Sequence, residues 1–495
     1  MITGLLSLPP EWILVAVAAV SILLFALGVP LVLAFGLWVV AFHLVVPGFP
    51  MANMSITAFG ELESFTYIAI PLFILVGDLF RKADVSSDII AFSRACLGWL
   101  PGSTGNTVIG TSAIFSAITG SNAATTASVG QALYPSMEEE GYEPGYASAT
   151  IAAGGTIGSV LPPSIMLIVY GVTFGVSIPD LFIAGIVPGL AMLIILVGIN
   201  TFISEKNEYG VDTDAYSFDA RDVAETAWVA KIGLGAIVIL LGGIFAGIFS
   251  PAESASVAVL YVLVTAFVTG RLRSGRKMVR AGYTSLVLVG VLMPIIVIAV
   301  LVQQNLAYLD LQDAVANAIL SLGSDWLVII ALIGVVLIAG LALASIPNVV
   351  LTAPLLTPAA LEIGLDPVTW GVIFILGDAI GFITPPYGLN LYIISGLTDI
   401  DYMVVAYRVL PYLGGLLALL FVLLAVPEVN VLARSGDMFY QSTLSVPSPW
   451  GSGAISSSVR RSITWIQPSS FFAGQTSAAR TLWSRSSSLM KYACG

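Results

Sequence analysis

Sliding this sequence 223 positions along itself lays the proline and glycine landmarks of one half onto those of the other without a gap. Pro135 falls on Pro358, Gly141 on Gly364, Pro144 on Pro367, Ile157-Gly158 on Ile380-Gly381, Pro162-Pro163 on Pro385-Pro386 and Pro188 on Pro411, while Glu143 falls on Asp366. Gly and Pro govern backbone geometry, so the match concerns folding as well as greasiness. We read it as an internal duplication. The centre of the first copy is residues 111–188, an apolar stretch interrupted at Gly120-Ser121-Asn122 and again at Pro162-Pro163. Irregular backbone at membrane depth survives only where protein buries it or where it lines a cavity. Matching interruptions in two halves point to the binding site of a carrier.

The apolar stretches belong in a bilayer. The hydrophobic fraction is 58% and the charged fraction 9%, against roughly 25% charged in a soluble domain, and the mean hydropathy is +0.99. Runs of about 20 apolar residues, the length that crosses a bilayer core, recur along the chain. The fold class expected is an all-α polytopic membrane protein. No alternating pattern suggests a β-barrel. Cys96 and Cys494 imply neither disulfide nor metal site. The first residues read as the lead into a retained span, not a cleaved signal. Net charge is −11, and no nucleic-acid partner is expected.

Taken in order, the first inverted repeat covers 1–201. It holds spans at 12–27, 29–46 and 65–80, a loop at 48–57, a re-entrant hairpin at about 103–137, a broken helix at 145–176 and a span at 180–201. An acidic cytoplasmic linker occupies 202–227. The second repeat, 228–427, has spans at 228–248 and 251–270, a basic loop at 271–280 and a span at 283–301. An amphipathic stretch near 307–320 leads to a hairpin at about 325–358, a helix broken at Thr384–Gly388 within 366–398, and a last span at 406–427. Residues 428–495 are Ser/Arg-rich from about 435 and read as a disordered tail. Basic residues mark cytoplasmic loops. The 81–94 loop is basic and its equivalent 304–317 is not; 271–280 is basic and its equivalent 48–57 is not. The repeats are therefore expected to lie inverted in the membrane, with both termini outside.

Several blocks in the right order resemble the large membrane subunit of TRAP (tripartite ATP-independent periplasmic) transporters over about residues 10–427. They are AIPLFILVGDLF (69–80), LPGSTGNTVIGTSAIFSAITGSNAAT (100–125), the run from GYEPGYASA to GSVLPPSIMLIVYG (141–171), GGIFAGIFSPAESASVAV (242–259) and IGFITPPYGLNLYI (380–393). The resemblance implies sodium-driven import of small organic acids across the cytoplasmic (inner) membrane. It also implies an extracytoplasmic solute-binding protein, a small four-helix membrane partner and an elevator movement. One position departs from the family. Four residues before the glycine of the second PP motif the family usually has asparagine; here it is Gly377, followed by Asp378. An intramembrane carboxylate is a functional candidate by default. Asp378 is expected either to ligate sodium in place of the missing amide or to carry a proton; the structural alternative is a wet cavity wall or a helix end.

Unwound carbonyls and half-helix ends suit such an ion and acid. In the first half Thr119, Gly120, Ser121, Asn122 and Thr125 are expected to face Gly155, Thr156, Gly158 and Pro162. In the second, Ser345, Pro347 and Asn348 are expected to face Gly377, Asp378, Gly381 and Thr384. With no arginine in either broken segment, the solute carboxylate is expected to meet hydroxyls and helix N-termini. Gly110, Gly130 and Gly340 read as close-packing positions, and His43 as a packed or interfacial residue. The Glu138–Glu140 run is expected to face water. Arg408 either snorkels or balances a carboxylate, and Asp78 and Glu253 are candidates for interhelical links. One histidine, no metal-ligand cluster and no GxSxG argue against an intramembrane enzyme. Paired half-helices suit alternating access better than a channel, and no P-loop is present for a pump. The alternative within carriers is a stand-alone ion-coupled organic-anion carrier without a binding protein.

Overall fold

The computed structural model describes residues 10–46, 49–63, 65–83, 85–210, 218–272 and 275–425. The tail expected at 428–495 lies outside them. The described residues form α-helices and two short 3-10 turns, with no strand among them. Helices α1 (Pro10–Ala26) and α2 (Leu31–Val45) pack side by side about a turn at Gly28. Where the sequence suggested a loop at 48–57 there is a helix, α3 (Met51–Glu63), none of whose residues is buried. It carries Ile56, Phe59 and Leu62 outward, too short a pattern to read as a span. A 3-10 turn, Phe65–Ile68, leads into α4 (Ala69–Lys82), followed by α5 (Ser86–Leu97).

The first interrupted region comprises α6 (Ser103–Thr119), α7 (Asn122–Glu139), α8 (Pro144–Gly155), a 3-10 turn Thr156–Ser159, and α9 (Ile165–Phe174). Helix α10 (Ile178–Asn207) runs past the expected boundary at 201, and α11 (Ala220–Val229) fills much of the acidic linker. Both were hidden by polarity, because their hydrophilic residues face outward and need no apolar pattern. Next come α12 (Lys231–Phe245), α13 (Pro251–Val268) and α14 (Gly275–Tyr308). The basic segment expected as a loop through 280 is helical from Gly275, so Arg276 and Arg280 ride on α14. With 34 residues α14 is about 50 Å long at about 1.5 Å per residue.

The second interrupted region is α15 (Leu311–Leu320), α16 (Asp325–Ala342), α17 (Ser345–Leu351), α18 (Ala353–Glu362), α19 (Pro367–Gly381) and α20 (Leu389–Thr398). Its return arm is in two pieces, unlike the continuous α7, because Pro354 in the first turn of α18 cannot donate to a continued helix. The chain closes with α21 (Tyr402–Arg408) and α22 (Leu410–Ala425), bent by 49° at a junction expected to be straight. By length and composition α10, α13 and residues 278–308 of α14 suffice singly to cross a membrane; α11–α12 and α21–α22 qualify only as bent pairs.

Two helices sit at the centre. Every residue of α8 from Gly145 to Gly155 is buried, and so is every residue of α19 from Thr369 to Gly381. A helix apolar or small on all sides is buried on all sides. Proline occupies the first position of each, and Asp366 caps α19 by accepting from the Val368 and Thr369 amides at 3.0 and 3.2 Å. The outer pieces of the broken helices cross over. From the first half, α9 packs on α17 and α19; from the second, α20 packs on α7 and α8. A buried polar network adds cohesion. Tyr412 OH donates to Tyr146 OH at 2.8 Å, Tyr146 OH to Asn200 Oδ1 at 3.0 Å, and Asn200 Nδ2 to Asn106 Oδ1 at 2.9 Å, tying α22, α8, α10 and α6 together.

Small residues permit a close crossing between α16 and α19. A Cβ at Gly381 would lie 2.9 Å from the backbone of Gly340. Gly381→Ala is expected to cost about 1–3 kcal/mol through overpacking, read as a lowered thermal unfolding midpoint in detergent. Gly334→Ala, with nothing within 4 Å of its added methyl, is the control and should be neutral or slightly stabilising.

Candidate functional site

The two arms α6 and α7 meet at a tip. Gly120 closes α6 with φ of 57°, the left-handed conformation glycine adopts without penalty. Ser121 then caps α7, its Oγ accepting from the Ala124 amide at 3.5 Å. Thr119 and Thr125 share a hydroxyl contact of 2.8 Å across the tip. The tip touches the end of α8: a Cβ at Gly158 would lie 2.9 Å from the Ser121 carbonyl and 3.0 Å from the Asn122 amide nitrogen. Gly120 in turn abuts the Ile165 amide at the start of α9. At this junction Asn122 is 2% exposed, and neither its Oδ1 nor its Nδ2 has a partner. A buried amide without partners is costly, and such atoms call for an explanation.

The second tip meets α19 in the same manner. Asn348 on α17 donates from Nδ2 to Asp378 Oδ1 at 2.7 Å, and Ser345 lies beside that carboxylate. Both Asn348 and Asp378 are wholly buried, and Asn348 Oδ1 and Asp378 Oδ2 have no partner. Asp378 also rests against Gly340 of α16, whose added Cβ would approach its Oδ1 at 3.5 Å.

Not every expected residue joins these junctions. Pro162 lies against Gly185 of α10. Gly377 turns to Val336 of α16. Thr156 and Thr384 spend their hydroxyls on the carbonyls of Ala153 and Ile380, at 2.6 and 2.8 Å. Pro347 is only half-buried. Gly155 faces Thr126 and Asn390. Thr126 Oγ1 and Asn390 Oδ1 are buried without partners, and the sequence reading missed both. A polar side chain within a fractured apolar segment was the available signal for Asn390.

Other candidates resolve more simply. Arg408 Nε pairs with a Glu143 oxygen at 2.7 Å, so it balances a carboxylate. Glu253 caps its own helix in a box with Ser250, whereas Asp78 reaches a neighbour, accepting from Ser285 of α14 at 3.4 Å. Glu140 is not simply solvated: it accepts from Thr104 at 2.6 Å and from Arg94 at 3.4 Å. His43 is buried, its Nδ1 on the Val39 carbonyl and its ring against Phe42 and Phe49.

Beside both tips lies a cavity of about 780 Å³, within the range of small-molecule sites, about 300–1,000 Å³. Thr119 and Ser121 of the first tip and Ile346 of the second line it, with Gln131 of α7 and Thr284 of α14. Asp78 and Arg81 of α4 line it too. Hydroxyls were expected around the solute; an arginine was not, because Arg81 lies outside the broken segments and reaches the cavity only through the packing of α4.

Residues 18–429 match the family model for the tripartite ATP-independent periplasmic transporter, DctM component. The chain is 34% identical over 412 residues to the isethionate TRAP transporter permease protein DctMQ of Oleidesulfovibrio alaskensis, a match covering 82% of this chain and 64% of that protein. It is 30% identical over 422 residues to the C4-dicarboxylate TRAP transporter large permease protein DctM of Rhodobacter capsulatus, covering 82% and 94%. Its backbone resembles that of the YdaH transporter of Alcanivorax borkumensis, with a TM-score of 0.52 over 79% of this chain and 90% of that one at 16% identity; at that identity the likeness concerns fold alone. The relatives are permeases and not enzymes. The chain belongs to the DctM family, the large membrane permease subunits of TRAP transporters.

Proposed function

We propose that this chain is the large transmembrane subunit of a sodium-coupled importer of small organic acids in the cytoplasmic membrane. A C4-dicarboxylate or another carboxylate or keto acid would be its cargo. An extracytoplasmic binding protein would deliver the solute, and a small four-helix membrane subunit would complete the complex. One observation carries the reading. Two hairpin tips meet two helix ends at junctions where Asn122, Asn348 and Asp378 each leave one buried oxygen without a hydrogen-bond partner. Oxygen ligands at helix breaks are what a coupling ion requires, and a cation beside Asp378 would offset the cost of burying its charge. A hydroxyl-lined cavity adjoins both tips, where an acid would sit. The two relatives compared above are named for isethionate and C4-dicarboxylates; both are small organic anions.

Inverted repeats are supported by where the loops meet. Arg271, after α13, pairs with Asp88 of α5, so the two basic segments of opposite halves lie together. The two non-basic segments also lie together, Thr57 donating to Gln304 at 3.2 Å and Phe49 stacking edge-on with Tyr308 at 4.7 Å. Helix α14 joins the two ends. By the excess of Lys and Arg the end of Arg271 is cytoplasmic. In this reading the core of α6–α9 and α16–α20 moves against the remaining helices as an elevator.

Reconstitution with the small subunit and binding protein, assaying organic-acid uptake with and without a sodium gradient, tests the whole. Uptake indifferent to sodium would refute the coupling, and uptake without any binding protein would favour a stand-alone carrier. Asp378→Asn and Asn122→Leu are each expected to raise the sodium concentration for half-maximal uptake about tenfold, a loss of about 1.4 kcal/mol; sodium dependence unchanged in both would remove these ligands. For topology, a cysteine replacing Ile56 should react with an impermeant thiol reagent in intact cells. One replacing Arg276 should react only after permeabilisation, both in a chain with Cys96 and Cys494 changed to serine.

A further inference from the structure

Within the carrier reading above, we infer that Arg81 is the cationic anchor for the acid group of the solute on the cytoplasmic half of its path, and that Asp78 competes with the solute for its guanidinium. Arg81 is in the last turn of α4, one turn beyond Asp78, and one of its terminal nitrogens pairs with Asp78 Oδ1. The other Asp78 oxygen lies 3.4 Å from Ser285 Oγ, whose hydroxyl also reaches the Ala281 carbonyl at 3.0 Å, so the carboxylate sits between α4 and α14. Asp78 is nearly buried, with its side chain 10% exposed, whereas that of Arg81 is 59% exposed. The remaining guanidinium donors meet no other side chain among the described residues.

Both residues line the cavity beside the tips, and no other charged residue among the described ones is on its wall. The rest of that wall is mostly apolar, with Ile74, Phe115 and Leu292 among its residues. The Arg81–Asp78 pair is net neutral, so what the wall offers an anion is the guanidinium edge that Asp78 leaves unengaged. The planar guanidinium fork matches a carboxylate or sulfonate through two parallel donors, and Asp78 engages only one terminal nitrogen. Thr119 and Ser121 line the same space from the first tip, offering neutral donors to the remaining anionic oxygens. The cavity wall combines Thr119, Ser121 and Ile346 of the tips with Arg81, Ser86 and Thr284, which lie next to the basic segments in sequence.

A pair that served only to brace α4 would behave differently. An exposed ion pair three residues apart on one helix contributes little, and losing either partner would act in the same direction. An anchor predicts opposite signs, because Asp78 competes with the solute for the guanidinium. In the reconstituted complex, Arg81→Gln is expected to raise KM for succinate and isethionate about tenfold with a maximal rate near wild type, the signature of lost uniform binding. Arg81→Lys should recover part of the loss, and Asp78→Asn should lower KM. Wild-type KM in Arg81→Gln, or a shift of the same sign in Arg81→Gln and Asp78→Asn, overturns the inference. A second readout needs no transport. Phenylglyoxal modification of Arg81 in the purified full chain, followed by mass spectrometry, should be slowed by saturating succinate or isethionate, while modification of the surface residue Arg221 is not. Absence of protection overturns the anchor even if uptake is normal; protection of Arg81 in a protein that moves neither acid upholds the anchor and overturns the carrier reading.

Discussion

Everything in this fold follows from one constraint: α8 and α19 end in the middle of the protein, and their freed backbone groups must find partners there. No water-filled exterior is available to a helix buried on every side. The protein answers with a tip at each end. Gly158 admits the peptide of Ser121 and Asn122 at contact distance, and Gly381 admits the backbone of Gly340. Ser164 caps the restart at α9, accepting from the Met166 and Leu167 amides. The small residues are therefore a geometric condition of the breaks, since a single Cβ at either glycine would collide with backbone.

That solution leaves polar atoms over. Asn122, Thr126, Asn390, Asn348 and Asp378 all carry buried atoms without partners. A purely structural core would pay to bury them and gain nothing. Their concentration where tips meet helix ends, beside a cavity, is what supports the proposed ion and acid site. The charged residues at the periphery are handled differently. Arg271 with Asp88, Arg94 with Glu140 and Arg408 with Glu143 are paired across elements. Arg81 pairs within its own helix and lines the cavity.

Much of this was legible in order along the chain. Gly120 to Asn122 and the two Pro-Pro pairs announced where helices stop, because those residues act on their own backbone. The family blocks were legible for the same reason. Less legible were α3, whose outward apolar residues are too few to read as a span, α11, whose polar residues give no apolar run, and the break at Pro354 within the second return arm, which the hairpin reading of 325–358 did not anticipate. The junction of Asn348 with Asp378 was paired correctly from the repeat, yet Gly377 beside them turned out to face Val336, since neighbouring residues on a helix point in different directions.

The sequence by itself determined the membrane-bound helical class, the positions of the interruptions and the membership of the family, since apolar length, proline and glycine act locally. Only the tertiary structure decided which polar atoms stay unpartnered, that the outer pieces of the broken helices exchange between halves, and that an arginine from α4 reaches the cavity. Those facts depend on contacts between residues far apart in the chain, such as Asn390 on Ala152 or Ser285 on Asp78. Periodicity and motif spacing carry no record of which helix faces which.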